Sequence, residues 1–229
     1  MKSLGFKETA LNVKRLSLWA GVISPFLFVL IFTIDGFLHP TYSQMTQMIS
    51  FLSVQAENGW IQNGNFLLCG LLFLIFASGF FQGMRTIISR KAQVVASIFL
   101  ALAGLALMNE GFNPTSLPGQ PLGVHGLLHD IGFVVIFGSL IVVPIVTGQA
   151  LVKTVGWRGY GWYSIFSGFL TLVLLFSLIF TAVTFPSIVG LVNRLQIFGS
   201  FIWYIVTGWH LLARKSPEQH VLSGLPSGI

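Results

Sequence analysis

The chain has 229 residues, of which 54% are hydrophobic and only 8% are charged, and its mean hydropathy is +0.84. About a quarter of the residues of an ordinary soluble domain are charged, so this composition excludes a soluble globular protein and indicates an integral membrane protein. The formal net charge of +6 alone would be compatible with nucleic-acid binding, but the placement of the basic residues argues for another origin.

Six apolar segments are each long enough to cross a membrane, which takes about 20 residues in a helix. They are residues 16–38, 60–82, 92–111, 124–151, 160–184 and 187–212. The connections are short, and the uninterrupted apolar run 169–180 lacks the alternation of a barrel strand. We therefore predict an all-α, polytopic transmembrane bundle of about six helices. It forms one integral-membrane domain over residues 1–229, with a flexible tail at 216–229.

Basic residues cluster at alternate ends of the predicted spans. In chain order the clusters are Lys2, Lys7, Lys14 and Arg15; Arg85, Arg90 and Lys91; Lys153 and Arg158; and Arg214 and Lys215. All of them fall on one side if the spans alternate, which is the positive-inside pattern. We therefore expect a multi-pass protein of the cell membrane with both termini in the cytoplasm. Membrane lipids are its expected partners, and no nucleic acid is expected.

The segment between the first two spans is polar but patterned. Its apolar side chains recur at helical spacing at Tyr42, Met45, Met48, Ile49 and Leu52. This pattern predicts a short amphipathic helix lying in the outer membrane interface. The pattern fits equally well a loop helix packed on the bundle, so both alternatives remain open.

Ionisable residues converge at the outer ends of the predicted spans. The set comprises Asp35, His39, Glu110, His125, His129, Asp130 and Arg194. His125 and His129 are one helical turn apart, so both imidazoles lie on one helix face. An ionised side chain at bilayer depth costs on the order of 2.5–3.5 kcal/mol. These groups must therefore pair, hydrate or hold a cation.

Three histidines and nearby acids at one depth are compatible with a metal site. The predicted ligands are His39, His125, His129 and Asp35. Zinc accepts this donor set, and an open coordination position would hold a water that the metal makes acidic. Zinc is thus the cofactor that the pattern suggests, although the spacing His-x-x-x-His alone is a weak signal.

The remaining charged groups receive roles in the same hypothesis. Glu110 would act as the acid or base, Asp130 would complete or orient the site, and Arg194 would bind an anionic headgroup. The structural alternative is a polar network that fixes the helix register. In that alternative Arg194 neutralises one or two carboxylates and the histidines bond to backbone carbonyls.

Three short motifs carry a family resemblance. They are DGFLHPTYS at 35–43, ISFL at 49–52 and GVHGLLHD at 123–130. On these motifs the sequence resembles the prokaryotic membrane proteins grouped as domain of unknown function 998, over nearly the whole chain. The resemblance implies a bundle of about six helices and brings no established activity. A distant similarity to eukaryotic six-helix proteins of lipid remodelling and autophagy is an analogy at the level of fold.

Three functions compete at this point. The first is a metal-dependent lipid hydrolase or transferase of the outer leaflet. The second is a small proton-coupled permease in which the carboxylates exchange protons and Arg194 is the internal counter-ion. Few polar residues continue that path toward the cytoplasmic half, which weakens it. The third is a non-catalytic membrane assembly module that docks partners through segment 42–52.

Overall fold

The computed structural model describes residues 2–55 and 58–214. Its helices are α1 (Lys2–Leu38), α2 (Leu52–Gln55), α3 (Trp60–Met84), α4 (Arg90–Phe112), α5 (Val124–Leu151), α6 (Arg158–Thr184) and α7 (Val189–Ala213). Short 3-10 turns at Ile49–Phe51 and Pro186–Ile188 precede α2 and α7. The part of the chain that is described contains no strand. The predicted flexible tail at 216–229 lies outside the described residues.

Within the described residues, six helices are long and apolar enough to cross a membrane. Their candidate spans are Leu11–Leu38, Trp60–Met84, Arg90–Phe112, Val124–Leu151, Arg158–Thr184 and Pro186–Ala213. Each begins within a few residues of a predicted span, because an apolar run must satisfy its backbone hydrogen bonds internally, as a helix does, to enter a bilayer. The prediction of an all-α bundle with six transmembrane helices is therefore confirmed.

The six long helices form a closed ring. Each contacts the next in the order α1, α3, α4, α5, α6 and α7, and α7 returns to contact α1. Glycines allow the closest approaches. A Cβ atom on Gly70 would lie 2.5 Å from the carbonyl oxygen of Gly104, and one on Gly148 would lie 2.6 Å from that of Gly161. Such close van der Waals packing is what drives helix association in a membrane.

The two ends of the ring differ in charge. One end, here called the basic end, carries Lys14, Arg15, Arg85, Arg90, Lys91, Lys153, Arg158 and Arg214. The opposite end, here called the site end, carries the predicted acids and histidines. This separation follows from the alternation of helix direction along the chain.

An aromatic cluster fills the ring between its two ends. Phe28, Phe73, Phe201 and Tyr204 are buried. The ring centroid of Phe201 lies 5.7 Å from that of Phe28 and 5.7 Å from that of Phe73. The centroids of Phe73 and Tyr204 are 5.3 Å apart. These separations are those of packed aromatic side chains, so the interior is closed by hydrocarbon at this level.

The connection between α1 and α3, residues 39–55 and here called the strap, is less helical than predicted. Only Ile49–Phe51 and α2 are helical, and the residues before them form turns. Tyr42, Ile49 and Leu52 face the bundle and are 7%, 3% and 0% exposed, whereas Met45 is 48% exposed. The strap thus packs on the bundle through three of its apolar side chains. The physical reason is that α7 binds its backbone groups, as described below.

Candidate functional site

A buried pair of ionisable side chains joins α4 to α5 at the site end. Nε2 of His129 lies 2.6 Å from Oε2 of Glu110, and the two side chains are 6% and 3% exposed. Nδ1 of His129 lies 3.0 Å from the backbone oxygen of Asn113. A carbonyl oxygen only accepts, so Nδ1 carries a hydrogen. One further proton therefore resides between Nε2 and the carboxyl group, as imidazolium with carboxylate or as imidazole with carboxylic acid.

Asn113 connects both histidines of α5 to the end of α4. Its side-chain oxygen accepts from Nδ1 of His125 at 2.8 Å, while its backbone oxygen accepts from His129. Its amide donates to the backbone and side-chain oxygens of Asn109 at 3.1 and 2.9 Å. Asn113 is not among the site residues predicted from the sequence. The sequence indicates its role only by position, because Asn113 follows Asn109 by one helical turn and Glu110 by three residues.

An apolar cavity of about 360 Å³ lies beside the Glu110–His129 pair, and both residues line it. This volume is in the range of small-molecule binding sites, which are mostly apolar with a few polar groups. Much of the wall is aromatic or aliphatic and comes from α1, α3, α5 and α7, including Phe28, Phe66, Phe133, Ile136, Phe137, Ile197 and Phe201. The aromatic cluster forms the floor of the cavity through two of these side chains.

The cavity is open on the side between α5 and α6. Asp130 of α5 and Ala182 and Val183 of α6 line the cavity and are exposed, Val183 to 81%. Nearer the basic end the two helices approach closely, since a Cβ on Gly168 would lie 2.9 Å from the oxygen of Ile141. Both helices are long and apolar enough to span a membrane. The opening therefore faces the lipid at the site end.

Asp35 of α1 and His39, the first residue of the strap, form a second pair. Nε2 of His39 lies 3.1 Å from Oδ1 of Asp35, one helical turn away. The Asp35 side chain is fully buried, and its Oδ2 has no hydrogen-bond partner among the described residues. Neither residue lines the cavity. The site end thus contains two separate pairs, of which only the Glu110–His129 pair faces the cavity.

The Arg194 guanidinium binds the strap. Nη1 donates to the backbone oxygens of Gln44, Gln47 and Gly190 at 2.7, 3.1 and 2.9 Å. Nε donates to the side-chain oxygen of Gln44 at 3.2 Å, and Nη2 donates to the hydroxyl of Tyr42 at 2.7 Å. No carboxylate lies within ion-pair distance of Arg194 among the described residues. Arg194 therefore holds a loop, and it neither neutralises a carboxylate nor faces the cavity.

Two further contacts fix the strap on the first turns of α7. The backbone N–H of Ile49 donates to the side-chain oxygen of Asn193 at 3.0 Å. The N–H of Leu191 donates to the oxygen of Met45 at 3.1 Å. A Cβ on Gly190 would lie 2.5 Å from the oxygen of Gln47, so only glycine permits this approach. Buried backbone groups of the strap thus find partners on α7 in place of a helix of their own.

Tyr42 extends the same network. Burial raises the pKa of Tyr42, and the neighbouring Arg194 opposes this rise without cancelling it. The phenol therefore keeps its proton at neutral pH. It accepts from Arg194 while donating to the backbone oxygen of Gln47 or Met48, at 3.2 and 3.1 Å.

A family model described as "Protein of unknown function (DUF998)" matches residues 22–210, which is most of the chain. The chain belongs to the DUF998 family. The matched range includes both ionisable pairs, the strap and Arg194, and the resemblance stated from the motifs is confirmed. No curated protein and no solved structure matches the chain. The family description carries no activity, so the function of this DUF998 protein has to be argued from its site.

The structure does not bring the four predicted zinc ligands together. His39 bonds to Asp35 of α1. His129 bonds to Glu110, and His125 is exposed. No group of three or more His, Cys, Asp or Glu side chains suited to a metal occurs within residues 2–55 and 58–214. A catalytic zinc ion takes three protein ligands. The side chains as arranged do not fit such an ion, and zinc binding stays a prediction.

Gly132 controls the position of Glu110 in this DUF998 protein. A Cβ on Gly132 would lie 2.6 Å from Oε1 of Glu110 and 2.8 Å from the Asn109 amide. We expect Gly132→Ala to push the carboxyl group away from His129 and to lower the free energy of unfolding by about 1–3 kcal/mol. The sequence indicates this role by the position of Gly132, which lies three residues after His129 on the same helix face.

Thermal unfolding of the detergent-purified protein measures this effect. The matched control is Gly138→Ala on the same helix, where an added Cβ meets nothing within 4 Å. That change should leave the unfolding temperature unchanged or raise it, because alanine favours a helix over glycine. Equal unfolding temperatures for the two variants would show that Gly132 does not position Glu110.

Proposed function

We propose that this DUF998 protein is a lipid hydrolase or transferase that takes a membrane lipid into the cavity and acts on its ester bond with the Glu110–His129 pair. The observation that carries the proposal is the coincidence of three features in one place. An apolar cavity opens sideways between two membrane-spanning helices, and a buried acid–base pair lies in its wall.

The shape of the cavity supports a lipid as the substrate. Apolar walls favour an acyl chain, since each buried methylene contributes about 0.8 kcal/mol. The side opening between α5 and α6 gives a lipid access from the bilayer without crossing water. Asp130 is exposed at the rim, where it would meet a headgroup. A water-soluble substrate would gain little from walls of this kind.

The pair supports acid–base catalysis. In hydrolysis, a water oxygen bonds to the acyl carbon, the ester C–O bond breaks, and one proton passes from the water to the leaving oxygen. In transfer, the hydroxyl of a second lipid replaces the water. The pair can donate the proton that it already holds between Nε2 of His129 and Glu110 to the leaving oxygen, and it regains a proton from the water. The Asn113 carbonyl keeps the imidazole in one tautomer throughout.

The charge pattern supports an orientation. The basic end carries the clusters that cytoplasmic loops usually carry, and the site end carries none of them. We therefore place the basic end and both termini in the cytoplasm and the cavity in the outer leaflet of the cell membrane. Labelling of single-cysteine variants at either end with a membrane-impermeant reagent tests this orientation.

Transport is less well supported than lipid chemistry. A proton-coupled permease needs a polar path through the ring, whereas the aromatic cluster of Phe28, Phe73, Phe201 and Tyr204 lies below the cavity. An assembly module would use the apolar side chains of the strap, of which Tyr42, Ile49 and Leu52 are buried. Neither alternative uses the side opening.

Lipid entry is tested by blocking the opening. We expect Ala182→Trp to fill the gap between α5 and α6 and to reduce labelling of the protein by a photoreactive acyl-chain phospholipid at least several-fold. The matched control is Val173→Trp, a change on an exposed position of α6 that does not line the cavity. Equal labelling of cavity residues in both variants and in the unmodified protein, read by peptide mass spectrometry, would refute entry at this place.

A further inference from the structure

A second cavity, of about 560 Å³, lies at the basic end between the start of α4 and the end of α5. Lys91 of α4 and Lys153, which follows α5, line it, and both side chains are exposed. Its apolar wall consists of Ala92, Val95, Val146 and Ala150. Val95 is one helical turn further from the basic end than Lys91. The groove therefore has cations at its mouth and hydrocarbon further in.

A hydrogen bond joins the backbone segments that carry the two lysines. The hydroxyl of Thr154, next to Lys153, donates to the backbone oxygen of Ile87 or to that of Ala150, at 3.1 Å in each case. This bond ties the turn after α5 to the turn before α4. Neither lysine has an acidic partner within ion-pair distance in the described part of the chain. Two like charges held beside one groove attract an anion.

We infer that this groove binds the anionic headgroup of a phospholipid from the leaflet at the basic end. The ligand is a phosphate-bearing lipid, because such a lipid matches both the positive charge and the hydrophobic wall of the groove. The phosphate meets the two ammonium groups at the mouth, and an acyl chain lies against the valines and alanines. The site is separate from the cavity at the other end and does not depend on the proposed enzymatic function.

Native mass spectrometry of the detergent-purified protein tests the inference with two lipids of identical acyl chains, phosphatidylglycerol and phosphatidylcholine. The variant is Lys91→Gln with Lys153→Gln. The matched control is Arg85→Gln with Arg158→Gln, which removes two exposed cations from the same end outside the groove. The unfolding temperatures of both variants are measured as well. We expect them to be unchanged, because the substituted positions are exposed.

We expect the unmodified protein and the arginine control to retain phosphatidylglycerol over phosphatidylcholine, and the lysine variant to bind phosphatidylglycerol about 30-fold more weakly. An equal loss in both variants would assign the effect to the general charge of the basic end and overturn the site. Retention by the lysine variant would overturn it as well. Displacement of the lipid by inorganic phosphate alone would overturn the lipid as the ligand.

Discussion

Replacing Glu110 with glutamine should nearly abolish lipid turnover while leaving the cavity intact. The amide keeps the size of the carboxyl group but cannot exchange a proton with Nε2 of His129. General acid–base catalysis contributes about 10²- to 10⁴-fold to a rate, and a loss of this size is expected. His129→Gln should have a similar effect. Proteoliposomes of phosphatidylethanolamine and phosphatidylglycerol, sampled over time, allow mass spectrometry to measure free fatty acid, lysolipid and transfer products.

The second buried pair supplies the matched control. Asp35→Asn alters an equally buried carboxyl group, bonded to His39, that does not line the cavity. It should disturb the stability of the fold as Glu110→Gln does, yet leave turnover unchanged. If Asp35→Asn and Glu110→Gln slow turnover equally, the effect is one of folding and the catalytic role of Glu110 is refuted. Turnover that is lost on chelation and restored by added zinc would instead support the predicted metal.

Replacing Arg194 with alanine should release the strap from the bundle. The change removes five hydrogen-bond donations from the guanidinium to groups of the strap and of α7. Each hydrogen bond to a charged group contributes about 1.5–3 kcal/mol, and their sum is not additive. We expect the free energy of unfolding to fall by about 3 kcal/mol or more. Limited proteolysis should then cut within 39–55.

Arg158→Ala is the control for this prediction, because it also removes one arginine but lies exposed at the basic end. It should leave both the unfolding temperature and the proteolysis pattern unchanged. Arg194→Lys should recover only part of the stability, since an ammonium group cannot reproduce the fork geometry of the guanidinium. A protease-resistant strap in Arg194→Ala would refute the anchoring role.

The number and boundaries of the spans could be predicted because membrane insertion depends on local hydropathy. Residues 124–151, for example, form a helix at the predicted limits. Ring order could not be predicted in the same way, because the glycines that bring α3 onto α4 and α5 onto α6 recur on every span. Which helices pack together depends on the shapes of two helix surfaces. The sequence of one helix describes only one of those surfaces.

The candidate site could be predicted in part. The positions of Glu110 and His129 within their predicted helices put both residues at the same end of the bundle. Helical spacing joined His125 to His129, but the structure pairs His129 with Glu110 on the neighbouring helix. The choice of partner depends on which helix faces α5, and the spacing along α5 contains no information about that neighbour.

Arg194 marks the clearest limit of the sequence. A lone arginine at bilayer depth suggests a carboxylate partner, because ion pairing is the usual way to bury a charge. Its actual partners are mostly backbone oxygens of Gln44, Gln47 and Gly190. Every residue has a carbonyl oxygen, so the residue types in the strap do not indicate these contacts between Arg194 and the backbone.

The contacts between the strap and α7 have a consequence for the order in which the protein is made. The strap leaves the ribosome after the first helix, but its hydrogen-bond partners Leu191, Asn193 and Arg194 belong to the last one. Until α7 is synthesised and inserted, the ring lacks one side and the backbone groups of the strap must be solvated by water or lipid headgroups. Synthesis of the final helix therefore closes the ring and binds the strap in a single late step.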